Sequence, residues 1–392
     1  MSAINYLAGT QSPVNSPLPV YNEETVAFLS ELSSQLMKQQ ETRMYPDIMS
    51  LAFWCRRANL LKLQENFADS NSRLGRGLAF HIAPSNVPVN FAFSYVFSLL
   101  AGNANIVRVS SKPFPQTQII CQVIESVLQN YPQVRKRTSI ISYPAEEGIT
   151  SDFCAQADAR IIWGGDETVS QIRRFPVRPR CVDLVFADRY SICILDGESI
   201  ASCNQVEIER LAEGFYNDTY LMDQNACSSP QMIFWVHDQI EARQRFWKAL
   251  ENVVKIKYDL QGMAAVDKYT QLCKDAIEHP EIGCVIRQGG NLIYRAELES
   301  LEGNTEGELR GKAGYFYECS INSLEDICPV VSEKYQTVTY YGICPEELRK
   351  VIMENGLRGI DRIVPVGSAM DIGVVWDGYD IISMLSRKIQ MS

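Results

Sequence analysis

Cys227 lies in the segment FYNDTYLMDQNACSSP (residues 215–230), between Ala226 and Ser228, with Gln224 and Asn225 before it and Pro230 after it. Small and polar neighbours frame an accessible thiol, whereas Cys121, Cys193 and Cys284 have apolar flanks. A cysteine thiolate attacks acyl carbonyls and carries the acyl group as a thioester. On the residues alone, Cys227 reads equally as such a nucleophile and as a small packing residue, while the other eleven cysteines read as packing residues. His81 and His237 are candidate base partners; His237 sits in an apolar strand and reads as structural, and His81 reads either way.

Four further segments could bind or stabilise charge. In HIAPSNVPVNF (81–91), Pro84 and Pro88 fix the backbone around Asn86, presenting its amide at a strand end, although Asn is common in turns for unrelated reasons. In GNANIVRVSSK (102–112), Arg108, Ser110, Ser111 and Lys112 gather two cations and two hydroxyls, a set suited to a phosphorylated ribose and equally found at a surface strand end. Gly164-Gly165, in IIWGGDETV, lets a phosphate or ring approach the backbone before a helix begins. Glu325 precedes a Pro-containing apolar stretch in LEDICPVV and means little by itself.

The familiar nucleotide signatures are missing. No G-x-G-x-x-G follows the first strand, and Gly307–Gly311–Lys312–Ala313 has the wrong spacing for a P-loop. The twelve cysteines form no C-x-x-C pair and no Cys/His cluster, so neither a disulfide framework nor a metal site is signalled. Such thiol usage points to a reduced, cytoplasmic chain.

These residues need a scaffold, and 392 residues that are 46% hydrophobic and 21% charged can bury a large core. With 37 Lys plus Arg against 47 Asp plus Glu, the net charge of −10 argues against nucleic acid and anionic lipid as partners. The longest apolar run, around 91–101, is too short to span a membrane. Residues 11–20 hold three prolines and read as an extended lead-in; Asn22, Glu23 and Glu24 then start a helix carrying Val26, Leu29, Leu32 and Leu36. A second helix follows Pro46. From Gly77 short β-rich runs alternate with helical ones, which predicts a mostly parallel, doubly wound sheet. Beyond about Asp196 a second α/β region begins, with helices over 239–254 and 266–278, a hairpin GCVIR-QGGN-LIYRA, and a polar loop near 297–312.

Taken in order, the segments resemble the aldehyde dehydrogenase superfamily. APSNVP is similar to its Pro-x-Asn-x-Pro turn, whose Asn, here Asn86, donates to the oxyanion. NIVRVSSK matches the ribose-binding strand, with Arg108 in place of the family's Lys and Ser111 in place of the acid that selects an unphosphorylated ribose. Gly164-Gly165 match the Gly-Ser under the cofactor diphosphate, NACSSP the nucleophile segment, and LEDICPV the segment whose Glu, here Glu325, holds the nicotinamide ribose. Over about residues 50–385 the strings FHIAPSNVPVNF, IIWGGDET, DQNACSSP and DRIVPVGSAMDIGVVWDGYD resemble the LuxC-type acyl-CoA reductases more closely.

The resemblance implies two doubly wound α/β domains of aldehyde dehydrogenase type: a helical lead-in over 1–50, an NADP-binding Rossmann-like domain over 51–196, and a catalytic domain with the nucleophilic cysteine over 197–392. It implies NADPH, with NAD as the alternative, and coenzyme A as part of the substrate. The implied reaction is reduction of an acyl-CoA to the aldehyde through an acyl-cysteine. The rivals are a reductase fed by an acyl-protein synthetase, alongside an acyltransferase subunit, and a non-catalytic scaffold. Acid-forming members carry a Glu base where this chain has Val185 or Phe186, so an acyl-enzyme here is expected to await hydride or thiol, unless Asp188, close in sequence, reaches the site. A homo-oligomer is implied, although residues 67–77 hold no counterpart of the family's oligomerisation hairpin. Phe215, Tyr216 and Tyr220 are candidates to line an acyl tunnel.

Overall fold

A computed structural model describes residues 4–144, 146–301 and 309–391. The chain divides into two units, Met1–Ala187 with Ile372–Ser392, and Asp188–Asp371.

The first unit is built on a six-stranded sheet in the order Asn5–Gly9, Thr138–Ser142, Ala104–Arg108, Leu78–Ile82, Ala159–Trp163, Val182–Phe186. All neighbours are parallel except the first pair. Helices cover both faces, so Leu78–Ile82 is buried along its whole length and the helix Asn90–Leu100 is buried on nearly every side. The Asn22 side chain caps Glu23–Lys38 by accepting from the amides of Glu24 (3.1 Å) and Thr25 (3.4 Å), and Val26, Leu29, Leu32 and Leu36 face the core. Pro46–Trp54 forms as its N-terminal proline predicts, breaks at Cys55, and resumes as Arg57–Asn66.

The second unit holds a seven-stranded sheet ordered Ile282–Gln288, Ile293–Leu298, Tyr315–Ile321, Pro230–Val236, Tyr190–Asp196, Tyr335–Tyr341, Arg362–Pro365. Only its edge hairpin is antiparallel, turning through Gly289 and Gly290 at φ 61° and 74°. Helices Gln205–Thr219 and Ile240–Lys257 pack on one face through Phe215, Phe246, Trp247 and Phe316. Phe215, Tyr216 and Tyr220 are all buried in that cluster, so the expected tunnel lining is core packing.

Three expectations are revised. The lead-in over 1–50, expected as helical, also holds an edge strand, Asn5–Gly9, paired antiparallel with Thr138–Ser142, so the N-terminal residues belong to the first unit. The boundary falls at 187/188 rather than 196/197, because Tyr190–Asp196 lies between Pro230–Val236 and Tyr335–Tyr341 in the second sheet. The C-terminal residues return to the first unit: Ser386–Lys388 pairs with Arg73–Gly75, and the Trp54 indole donates to the Ile372 carbonyl at 2.8 Å. Of the polar loop near 297–312, residues 302–308, with Gly307, lie outside the described residues. Among the described residues no helix is long and apolar enough to cross a membrane, and no group of three His, Cys, Asp or Glu side chains could hold a metal ion.

Candidate active site

Because the strands of the first sheet run parallel, their C-terminal ends align, and the register pairs Ile82 with both Arg108 and Ile162. The turn carrying Asn86, the Arg108–Lys112 segment and Gly164-Gly165 thus follow neighbouring strands on one edge. Asn86 is exposed in its Pro-bracketed turn. The Arg108 guanidinium lies 4.7 Å from the centre of the Tyr143 ring, with its Nε buried and without a hydrogen-bond partner. Ser111 donates to the Tyr143 carbonyl at 3.1 Å, and Ser110 accepts from the Lys112 amide at 3.2 Å. Gly165 precedes Asp166–Arg173, and a Cβ there would meet nothing within 4 Å. Asp166 and Glu167 place two carboxylates in that helix's first turn, which opposes an anion at this end.

His81 is no base. It is fully buried, its two ring nitrogens engaged with Ser94 Oγ at 2.8 Å and Asn105 Oδ1 at 2.9 Å. Burial pushes it down to about 4, so it is neutral at physiological pH. At the strand end where the acid-forming enzymes' Glu is expected, the Phe186 ring stacks on Trp163 with centroids 3.8 Å apart.

In the second unit Cys227 is half-buried in the loop that precedes Pro230–Val236. Asp223 and Gln224 turn the chain out of the preceding helix with φ of 50° and 61°. The buried Gln224 side chain then locks the loop, donating to the carbonyls of Pro230 (3.1 Å) and Tyr315 (3.0 Å) and accepting from the Gly314 amide (3.2 Å). Ser191 donates to the Cys227 carbonyl at 2.6 Å and itself accepts from the Thr337 amide at 3.2 Å, which ties the cysteine's backbone to two strands. The sulfur accepts from Gln336 Nε2 at 3.5 Å. A buried amide donor aimed at sulfur stabilises thiolate over thiol.

A second shoulder of the site comes from residues 366–371. Asp218, fully buried on Gln205–Thr219, accepts from the amides of Gly367 (2.7 Å) and Ala369 (2.8 Å). Arg362 donates to the carbonyls of Ala369, Ser368 and Asp371 at 2.6–2.8 Å. Burial lowers the Arg362 guanidinium, while Asp371, Asp218 and the Cys227 sulfur pull it back up. The loop so held sets Met370 Sδ 3.8 Å from the Ser228 hydroxyl, next to Cys227. It also needs glycine: a Cβ on Gly214 would lie 3.2 Å from the Cα of Gly367, whose φ is +100°.

Glu325 is placed elsewhere. It is exposed in the short turn Leu324–Ile327 after Tyr315–Ile321, and Ile321 pairs with Val236, at the opposite end of Pro230–Val236 from Cys227. Seven strand residues put the two ends about 20 Å apart. The connection returns to the Cys227 end only at Glu333 and Lys334, whose carbonyl accepts from Tyr190 N at 2.7 Å. His237 also stands at the far end, bonded to Asp196 at 2.6 Å. Asp188 is at the near end, but its carboxylate is held by Arg310 at 2.8 Å. Gln336, Ser191, Asp218 and Arg362 escaped the sequence reading; the only signal was an Asp on the apolar face of a helix, between Phe215 and Thr219.

Residues 16–261 match the family described as Acyl-CoA reductase (LuxC), more than half of the chain. The chain belongs to the acyl-CoA reductase (LuxC) family. Similar curated proteins include the long-chain acyl-protein thioester reductase of Aliivibrio fischeri, 25% identical over 322 residues (80% of this chain, 63% of that protein), and that of Vibrio harveyi, 25% identical over 305 residues (74% and 59%). The chain thus spans about three-fifths of the length of these family relatives. Among solved structures it resembles a point mutant of Thermus thermophilus 1-pyrroline-5-carboxylate dehydrogenase (TM-score 0.65, 11% identity, 94% of this chain and 81% of that one). Aldehyde dehydrogenase 21 of Physcomitrella patens is also similar (TM-score 0.63, 10% identity, 93% and 84%). The fold of this family member is the aldehyde dehydrogenase fold.

Proposed function

We propose that the chain reduces an acyl thioester to the aldehyde, with Cys227 as nucleophile. The observation that carries this is the Cys227 sulfur: half-buried, with its backbone fixed by Ser191 and its Sγ facing the Gln336 amide donor. The Cys227 thiolate attacks the thioester carbonyl, the carbonyl oxygen takes the negative charge, and its collapse breaks the bond to the leaving sulfur, which departs as a thiolate and takes a proton from solvent. The family resemblance assigns the Asn86 amide to that oxyanion, where such a donor is worth ~3 kcal/mol. The acyl group is then a thioester on Cys227, and Phe186 at the expected base position supplies no carboxylate to activate water.

The residues at the edge of the first sheet suit a nicotinamide dinucleotide. Arg108 has a buried, unpartnered Nε, hydroxyls and Lys112 lie beside it, and residues 102–119 contain no carboxylate, which leans the reading toward NADPH. Arg108, Ser110, Ser111 and Lys112 would hold the ribose and its phosphate; the resemblance gives Gly164 and Gly165 to the diphosphate, where Asp166 and Glu167 weaken the hold on an anion. When bound, the reduced cofactor supplies the hydride that takes the acyl group to the aldehyde level. The carboxylate for the nicotinamide ribose passes from Glu325 to Glu333, at the Cys227 end of its sheet.

The family description favours acyl-CoA as donor, with coenzyme A released; the relatives' names favour an acyl-protein, and hence a partner synthetase. Following nicotinamide absorbance with acyl-CoA and with an acylated protein, for wild type and Cys227→Ala, separates the two. Turnover with either donor that Cys227→Ala abolishes supports the proposal; equal turnover in the variant refutes it, and no turnover with either donor leaves the scaffold reading.

A further inference from the structure

The helix Gly262–Glu278 of the second unit is amphipathic in the reverse of the usual sense. Its two buried residues are charged. Lys268 donates to the carbonyls of Ala313 (2.8 Å), Leu292 (3.2 Å) and Asn291, with its ammonium 4.9 Å from the centre of the Tyr294 ring. Asp275 accepts from the hydroxyls of Tyr315 (2.7 Å) and Tyr317 (2.6 Å). The outer face is apolar: Met263, Val266, Tyr269 and Ile277 are 74%, 60%, 54% and 83% exposed, and Cys273 is exposed with them. A surface helix ordinarily turns its apolar stripe inward, so this one is built to be covered.

The spacing says by what. Met263, Val266, Thr270, Cys273 and Ile277 recur at alternating intervals of three and four, the seam of a coiled coil, and Thr270 is exposed like the rest. Asp267 and Lys274, both exposed, stand one heptad apart on the same flank of that seam, on either side of its middle residue Thr270. Opposite charges so placed are self-complementary under a two-fold axis near Thr270: with two such helices antiparallel, Asp267 of each faces Lys274 of the other, and Met263 of each meets Ile277. A parallel pairing would instead set Asp267 against Gly262 and Lys274 against Tyr269 of the other copy, leaving both charges unpaired. We infer that the outer face of Gly262–Glu278 docks the same face of a second copy of this chain, as an antiparallel helix pair. The inference does not depend on the chemistry at Cys227.

A helix pair of about 25 Å buries less than a standard interface, so the association is expected in the micromolar range. Sedimentation velocity of the full chain over about 1–100 μM reads it. The wild type should pass from monomer to dimer across that range. Val266→Glu should weaken the dimer at least tenfold while leaving the far-ultraviolet circular dichroism and thermal midpoint unchanged. Asp267→Lys and Lys274→Asp should each weaken it, and the double exchange should restore it, because the charges swap across the axis. A wild type monomeric at every concentration, including one whose face is covered only on adding an acyl-carrying protein, would overturn the inference. So would a Val266→Glu dimer as tight as wild type, or a double exchange no tighter than the single ones.

Discussion

Gln336 donates its side-chain amide to the Cys227 sulfur across 3.5 Å, from a strand whose next residue, Thr337, fixes the Cys227 carbonyl through Ser191. One strand therefore fixes the backbone of Cys227 and places a hydrogen-bond donor on its sulfur. A hydrogen bond to a charged group is worth about 1.5–3 kcal/mol. Gln336→Ala should accordingly slow alkylation of Cys227 at neutral pH about tenfold or more, with the difference closing at alkaline pH, where the thiol ionises without help. Timed iodoacetamide labelling across pH, read by peptide mass, checks this.

Asp218 predicts a pH dependence of stability. Burial pushes it up to about 7, while the Gly367 and Ala369 amides and Arg362 pull it down and Asp371 adds to the rise. The folded chain thus binds this proton more tightly than the unfolded chain. Its contribution is present in full below about pH 4 and is lost as pH rises through about 7, on the order of 4 kcal/mol in all. Urea denaturation at pH 5 and pH 8 should show a loss of stability in wild type that Asp218→Asn does not share.

The two carboxylates of one connection should behave differently. Glu325 sits at the far end of the sheet from Cys227 and Glu333 at the near end. Glu333→Gln is expected to raise the cofactor KM or lower kcat at least tenfold, and Glu325→Gln to leave both within twofold of wild type, by steady-state kinetics.

In the proposed reading, Ser111 stands where an acid would repel a 2′-phosphate. Ser111→Asp should raise the KM for NADPH at least tenfold and leave that for NADH near its wild-type value. Parallel titrations of the two cofactors test it.

Much of this architecture is legible in the residues. Asn22 with two acids after it marks a helix start, alternating β-rich and helical runs mark the parallel sheets, and the small neighbours of Cys227 mark its loop. The failures have physical causes. Asn5–Gly9 is an edge strand with two exposed residues, so it lacks the apolar run that announces a buried one. LEDICPVV carries a Glu and a Pro-Val at a familiar spacing, yet topology, which spacing does not encode, sends it to the wrong end of the sheet. Gln336 and Asp218 are polar residues inside apolar elements, and what each one bonds is fixed only when distant segments meet.

The central claim is that Cys227 carries the acyl group. Intact-protein mass spectrometry after mixing the chain with a long-chain acyl thioester, without reductant, tests it most directly. A single acyl adduct that maps to Cys227, is missing in Cys227→Ala, and disappears with release of aldehyde when NADPH is added is the predicted result. Aldehyde formed with no adduct at Cys227, or at the same rate in Cys227→Ala, would contradict it.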